Sequence, residues 1–149
     1  MTNLENKIEI LYNICRQKHL KVTPQRVEVY KALKSCSDHP SAEAVYKRVK
    51  QVLPNVSFDT VNRTLNTLNE IGAAFVVEGS GDVKRFDGNL DSHQHFKCIN
   101  CRKIFDFHYD NIENVKIPEN LGNSFRILKT TVYVEGLCRM CLEKENKNK

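Results

Sequence analysis

Two pairs of closely spaced cysteines stand in the second half of the chain: Cys98 and Cys101, then Cys138 and Cys141. Each pair has the Cys-x-x-Cys spacing that binds one metal ion, and two such pairs supply the four thiolates of a tetrahedral zinc shell. The alternative, disulfide bonding, requires an oxidising compartment. Because residues 1–10 are polar and charged, we expect no secretion signal, a cytoplasmic location and reduced thiols. The four cysteines therefore predict a zinc site.

A His-x-His motif, His93 and His95, directly precedes the first cysteine pair. Side chains on a strand repeat every two residues, so both imidazoles would share one face. If the cysteine turn pairs Cys98 with Lys103, antiparallel register sets His95 opposite Asp106 on that face. These side chains imply a second metal ion.

Three strands are predicted to position these groups. They cover residues 93–98, 103–109 and 125–135, and the last, rich in Ile, Val, Thr and Tyr, delivers Cys138 and Cys141. In the middle strand, Phe105 and Phe107 would face away from Asp106 into a core. We expect the charged stretch 143–149 to be disordered.

Helix start signals organise the first half of the chain. Thr23 precedes a proline at the first helical position, Ser41 caps a second helix that ends at Pro54, and Ser57 opens a third that ends at Gly72. A hairpin follows, with strands 73–78 and 83–86 around a Gly-Ser-Gly-Asp turn at 79–82. This order is typical of a winged helix-turn-helix, and the alternative is a helical bundle with polar residues facing solvent.

The predicted fold class is α+β. A winged-helix domain covers residues 1–86, a hinge covers 87–92, and a small metal-binding α/β domain covers 93–149. No run of about 18 apolar residues occurs, so we expect a soluble protein that does not enter a membrane.

Charge placement agrees with DNA binding by the first half. Residues 1–50 contain ten Lys or Arg against five Asp or Glu, which accounts for the whole net charge of +5. In a winged helix-turn-helix, the helix from Phe58 to Glu70 would enter the major groove. Its polar face and the basic residues before it give the candidate DNA contacts: Arg16, Lys18, Lys21, Arg26, Ser57, Asp59, Thr60, Asn62, Arg63 and Asn66. Lys84 and Arg85 of the wing are further candidates for phosphate contacts.

Five motifs together resemble the ferric-uptake regulator family. They are Thr23-Pro24-Gln25-Arg26, His39-Pro40-Ser41-Ala42-Glu43, Arg85-Phe86-Asp87, His93-x-His95-x-x-Cys98-x-x-Cys101 and Cys138-x-x-Cys141. The resemblance implies a bacterial metal-dependent repressor that forms a homodimer through its C-terminal domain and binds an A/T-rich inverted repeat in double-stranded DNA. One departure is Asn62, where many members carry tyrosine, so the base preference cannot be transferred.

The resemblance also assigns two metal sites. It implies structural Zn²⁺ at Cys98, Cys101, Cys138 and Cys141, and a regulatory metal, Fe²⁺ or Mn²⁺, at His39, Asp87, His93, His95 and Asp106. Aspartate at position 106 is associated with the peroxide-sensing, PerR-like branch, and glutamate with iron-uptake regulators. In that branch, iron-catalysed oxidation of a ligand histidine releases the DNA. Since His39 lies in the first half, one ion would tie the two halves together.

Three functions compete on this sequence. They are a peroxide-responsive repressor, an iron- or zinc-responsive repressor of the same family, and a metalloenzyme that uses the His and Asp cluster on water or peroxide. An enzyme would need a general base and a substrate pocket beyond the ligands, and no such motif is present in the sequence. Taken singly, a histidine such as His39 is more often an ordinary polar or capping residue, Asp87 a turn residue and Asp106 a solvated strand carboxylate; together with the paired cysteines they favour a metal site.

Overall fold

The computed structural model describes residues 3–78, 83–128 and 130–149, and it divides into two compact units, Met1–Asp91 and Ser92–Lys149. The predicted hinge over 87–92 stays a prediction. No helix among the described residues is long and apolar enough to cross a membrane.

Four helices build the first unit. They are α1 (Asn3–Gln17), α2 (Pro24–Lys34), α3 (Ala42–Val52) and α4 (Phe58–Glu70). The predicted caps of the last three are confirmed: the hydroxyls of Thr23, Ser41 and Ser57 each accept a hydrogen bond from the backbone N–H three residues further on, at 3.1 to 3.2 Å. The stop at Gly72 is also confirmed, because this glycine takes the left-handed φ of 79° that ends a helix.

The core of this unit lies between the helices. Helix α1 adds to the three predicted helices, and Leu11 and Cys15, one turn apart, face inward with no exposed surface. Helix α4 contributes Val61, Leu65 and Leu68, which recur at helical spacing and are fully buried. This packing fixes which face of α4 points to solvent.

A two-stranded ribbon follows α4. Strands β1 (Phe75–Val76) and β2 (Phe86–Asp87) pair antiparallel, with Val76 opposite Phe86. The predicted turn at 79–82 lies outside the described residues. Three helices followed by this ribbon confirm the winged helix-turn-helix architecture.

The second unit contains a three-stranded sheet in the order β4-β3-β5, formed by β3 (Gln94–Cys98), β4 (Ile104–Phe107) and β5 (Tyr133–Gly136). Strands β3 and β4 are antiparallel, and the predicted register of His95 opposite Asp106 is confirmed. Strand β5 runs parallel to β3 and sets Gly136 beside Cys98. Both cysteine pairs therefore lie at the same end of the sheet.

The predicted strand over 125–135 is wrong for most of its described residues, because among them the pairing with the sheet begins at Tyr133. Phe125 is 63% exposed and Leu128 is 84% exposed. β-propensity describes how well side chains suit a pleated surface, and it produces a strand only where a hydrogen-bonding partner is available.

The burial predicted for Phe105 is also wrong. Its ring packs against Phe96, with centroids 6.2 Å apart, yet 43% of the residue is exposed, while Phe107 is partly buried. The side chains alternate as predicted, but the described residues of this small unit cover that face only in part.

The disorder predicted for 143–149 is wrong as well. Helix α6 covers Arg139–Lys147 and begins directly after Cys138. The Arg139 guanidinium donates to the Glu143 carboxylate at 3.2 Å, one helical turn away. Two short helical turns, at Ile112–Asn114 and at α5 (Glu119–Gly122), lie between β4 and β5.

Candidate metal centres and nucleic-acid interface

The four paired cysteines form one cluster in the second unit. The Sγ atoms of Cys98, Cys101, Cys138 and Cys141 all lie within 4.8 Å of one another, and all four thiols are free. The 3.8 Å between the Cys101 and Cys138 sulfurs far exceeds a disulfide bond. A tetrahedron with Zn–S bonds of about 2.3 Å places its sulfurs roughly 3.8 Å apart. The cluster is a four-thiolate set suited to zinc.

Backbone hydrogen bonds help to bring the two cysteine pairs together. After β3 the chain turns through Arg102, whose φ is 65°, and the Ile99 N–H donates to the Gly136 carbonyl at 2.8 Å. The first cysteine pair is thereby fixed to the end of β5, which leads into the second pair. Cys141 lies in the first turn of α6.

The electrostatics of the cluster favour thiolate at one position and thiol at another. Backbone N–H groups of Cys101 and Cys138 lower the pKa of Cys98 to about 6. The Lys103 N–H acts to lower the pKa of Cys101, but desolvation and the three neighbouring thiols together raise that pKa to about 11. Four thiolates this close repel one another, and a bound divalent cation removes that repulsion.

Asn100 is a contributor that the sequence reasoning missed. Its side-chain N–H donates to Cys141 Sγ at 3.3 Å. Such donors outside the ligand set orient ligands and tune a metal site. The sequence feature that could have indicated this role is an amide side chain within the first Cys-x-x-Cys.

In the first unit, His39 and Asp87 come together, although 47 residues separate them. His39 Nε2 lies 3.4 Å from Asp87 Oδ2, and the two residues are 5% and 7% exposed. Asp87 is the last residue of β2, and its other carboxylate oxygen accepts from the Asn89 N–H at 2.8 Å. The pair offers one imidazole nitrogen and one carboxylate oxygen to an ion.

Arg85 holds the loop that carries His39. Its Nε donates to the His39 carbonyl, and its Nη2 donates to the Asp38 carbonyl at 2.8 Å. His39 takes a left-handed φ of 52°, which is unfavourable for a residue with a β-carbon. Arg85 lies directly before β2 and Asp87 ends it, so one side chain binds the His39 backbone while the other meets its imidazole. This use of the guanidinium differs from the phosphate contact predicted for Arg85.

In the second unit, His93, His95 and Asp106 form a second group. The Nε2 atoms of His93 and His95 lie 3.8 Å and 3.5 Å from Asp106 Oδ1. The two imidazole rings meet edge to face, with centroids 4.7 Å apart. Mixed imidazole and carboxylate donors suit ferrous, manganous or zinc ions, whereas the thiolate cluster selects softer ions. The imidazole and carboxylate donors in each unit are therefore harder ligands than the four thiolates, and they suit a divalent metal bound through nitrogen and oxygen.

Helix α4 presents a polar surface opposite its buried face. Asp59 and Arg63 are exposed and form an ion pair one turn apart. Ser57 Oγ caps the helix and also donates to Thr60 Oγ1 at 2.9 Å, while Asn62 and Asn66 are partly buried. All the predicted groove residues lie on this helix or at its cap.

The basic candidates outside α4 divide into two groups. Arg16, Lys18 and Lys21 are exposed, and Arg26 is partly buried, with its guanidinium on the Lys21 carbonyl. Lys84 is exposed and its ammonium donates to Asn66 Oδ1 at 3.0 Å. Lys84 thus approaches the helix that is predicted to read the groove.

Comparison with known proteins places these features in a family. Residues 17–135 match the model of the ferric uptake regulator family. The chain is 27% identical over 146 residues to the peroxide-responsive repressor PerR of Staphylococcus epidermidis, covering 98% of this chain and 97% of the relative.

Solved structures agree with that match. The Helicobacter pylori ferric uptake regulator, described with three functional metal-binding sites, superimposes with a TM-score of 0.74 and 26% identity over 95% of both chains. A zinc uptake regulator complexed with zinc and DNA has the same fold, with a TM-score of 0.70 and 24% identity over 98% of this chain and 99% of that one. The chain belongs to the ferric uptake regulator family.

Proposed function

We propose that this protein is a metal-dependent, homodimeric, DNA-binding repressor that releases its operator when peroxide oxidises a ligand histidine. The observation that carries the proposal is the separation of two donor chemistries: one all-thiolate cluster, and imidazole and carboxylate groups at His39 with Asp87 and at His93 and His95 with Asp106. A protein that bound only structural zinc would need only the thiolate cluster.

Zn²⁺ at the four cysteines is proposed to be structural. The apolar cluster of buried residues in the second unit consists of Cys98, Cys138 and Cys141, with Phe96 packed against it. So small a core gains much of its stability from a metal ion. Closed thiolate cages leave no open position for a reactant.

The regulatory ion, Fe²⁺ or Mn²⁺, is proposed to take His39 and Asp87 together with His93, His95 and Asp106. Neither group alone completes the coordination of such an ion. The group in the first unit offers two ligand residues, and the group in the second unit offers three. An ion that needs both would select the domain arrangement that fits two half-sites of an inverted repeat. A coupling of about 1–3 kcal/mol would change DNA affinity by roughly 5- to 150-fold.

Peroxide sensing is the finer part of the proposal. It is supported by Asp106 in place of glutamate and by relatives named as peroxide-responsive repressors. When bound, ferrous iron supplies the redox chemistry that cleaves the O–O bond. Overall, one oxygen atom of hydrogen peroxide is added to an imidazole carbon and the other leaves as water. The proposed ligands His39, His93 and His95 are the candidate acceptors of that oxygen atom.

An iron- or zinc-responsive repressor is the second candidate. It is supported by the likeness to the Helicobacter pylori ferric uptake regulator. It shares the ligands, the DNA and the dimer, and it differs only in having no oxidation step. Catalytic turnover of peroxide without self-inactivation would instead favour an enzyme.

The deciding experiment compares operator binding by the ferrous and manganous forms, each with and without stoichiometric peroxide, followed by peptide mass mapping. We expect only the ferrous form to lose DNA binding and to gain the mass of one oxygen atom on a ligand histidine. Cysteines oxidised first, with the histidines unmodified, would contradict peroxide sensing and leave the second candidate.

A substitution tests the separation of the two metals. His39→Ala is expected to weaken manganese-dependent operator binding by at least the roughly 5-fold of a weak coupling, while the zinc content stays unchanged. His19→Ala is the matched control, because His19 is exposed and also has a left-handed φ, of 55°. Equal loss of both metals in His39→Ala would refute two separate sites.

A further inference from the structure

Lys84 and Asn66 form a contact between the wing and the recognition helix. Lys84 Nζ lies 3.0 Å from Asn66 Oδ1, and it also lies 5.9 Å from the centroid of the Phe86 ring. Phe86 is fully buried and lies two residues further along the chain, so its ring is a fixed partner for the ammonium group. The ammonium group is therefore held beside α4.

The chemistry of this contact determines the orientation of the asparagine amide. An ammonium group has three donors and no acceptor, so only the carbonyl oxygen of Asn66 can face it. The amide NH₂ then points away from Lys84. An asparagine that is free to rotate reads adenine by donating to N7 and accepting from N6, and that mode needs the carbonyl.

Lys84 adds a positive charge beside helix α4. Within α4, Arg63 is the single basic residue and it is paired with Asp59, while Glu70 adds a second carboxylate. Helix α4 thus has no excess positive charge of its own. A base edge that carries hydrogen-bond acceptors therefore meets a positive charge on the wing, at Lys84, rather than on α4.

We propose that Lys84 sets the base specificity of Asn66, converting it from a reader of adenine to a donor-only reader of guanine. With its carbonyl held, the amide NH₂ and the ammonium group present donors alone. Guanine offers two acceptors, O6 and N7, to the major groove, whereas adenine offers N7 beside a donor that would face the ammonium group. This inference rests on the proposed DNA-binding function and names the base that one of its side chains selects.

The test is selection from a pool of random duplexes by the manganese-loaded protein, followed by sequencing. We expect Asn66→Ala to lose its preference at one position of each half-site, and the wild type to favour guanine there. Lys84→Met should shift the guanine-to-adenine ratio at that position toward adenine by roughly 5- to 150-fold, the range of one bidentate contact. In the Asn66→Ala background, Lys84→Met should produce no such shift.

Lys47→Met is the control, since it removes one lysine from a 72% exposed position on α3 and only breaks an ion pair with Glu43. Loss of a phosphate contact lowers the affinity for all sequences alike, so it leaves the ratio unchanged. If Lys84→Met still selects its DNA sequence and the guanine-to-adenine ratio is unchanged, the inference is wrong while the proposed DNA-binding function stands. A wild-type protein that selects no sequence overturns the proposed function as well.

Discussion

At the scale of single residues, the proposed metal site depends on a side chain that holds the loop of a predicted ligand in place. His39 is a predicted ligand, and its backbone takes a left-handed conformation. The Arg85 guanidinium holds this backbone by donating to the carbonyls of Asp38 and His39. The Arg85-Phe86-Asp87 motif therefore brings both the residue that holds the His39 loop and a predicted metal ligand next to His39. The sequence could show the motif, but not that the guanidinium faces inward.

Arg85→Met should weaken the binding of manganese. Without the guanidinium, the His39 loop loses two charge-assisted hydrogen bonds, and its imidazole is no longer held toward Asp87. Substitutions in the shell around metal ligands cost roughly 10- to 100-fold in affinity, and we expect a loss in that range. Manganese titration followed by electron paramagnetic resonance would measure it.

Arg48→Met is the matched control, because it removes the same charge next to Asp38 without touching the His39 carbonyl. The effect of Arg85→Met should vanish in a His39→Ala background. Equal effects with and without His39 would mean that Arg85 contributes only to general stability.

At the scale of elements, α4 has two faces with separate tasks. Leu65 and its buried neighbours attach the helix to the core, while Asn62, Arg63 and Asn66 are left for the groove. The helical period sets both faces at once, so this division follows from the sequence. The approach of Lys84 does not follow, because it depends on where the ribbon folds against the helix.

Leu65→Ala should lower the free energy of unfolding of the first unit by about 2–5 kcal/mol, since it leaves a cavity at a fully buried position. Urea unfolding followed by circular dichroism would measure the change, and zinc content should stay constant. Glu70→Ala, at an exposed position of the same helix, should stay within about 0.5 kcal/mol. A cost for Leu65→Ala as small as that of Glu70→Ala would place α4 outside the core.

At the scale of the whole molecule, the two units are stabilised by different means. The first has a core formed from four helices and the ribbon, and the second gathers its buried apolar residues at the cysteine cluster. We therefore expect the second unit to depend on its metal far more than the first does.

Cys138→Ser should remove zinc and unfold the sheet of the second unit. Structural zinc contributes about 10–16 kcal/mol in zinc-finger peptides, more than a small domain has in reserve. Hydrogen exchange should lose protection along β3 while α2 keeps it, and elemental analysis should find no zinc. Cys36→Ser, which lies outside the cluster, should change neither. A protected β3 in zinc-free Cys138→Ser protein would show that the metal is not structural.

The apolar face of the second unit predicts self-association. Phe105 and Met140 are 43% and 56% exposed, and with Phe96 and Leu137 they line a surface concavity of about 380 Å³. Phe105→Asp should weaken the proposed homodimer and shift it toward monomer in sedimentation velocity, because it would bury a charge. Val52→Asp, at a 61% exposed position of the first unit, is the control. A dimer that is equally stable in both variants would place the interface elsewhere.

The sequence by itself determined the features that depend on local periodicity. Caps at Thr23, Ser41 and Ser57, the buried face of α4 and the register that sets His95 against Asp106 all follow from spacing along the chain. The two Cys-x-x-Cys pairs carried enough chemistry to predict a zinc site before any fold was known.

Only the tertiary structure decided what depends on distant partners. It paired β3 with Tyr133–Gly136 and left Phe125 and Leu128 exposed, because a strand forms where a neighbour supplies hydrogen bonds. It also placed Arg85 on the His39 loop and Lys84 on Asn66, contacts that span 46 and 18 residues. A side chain's polar partner is whatever the folded chain brings within reach, and spacing along the sequence does not contain that information.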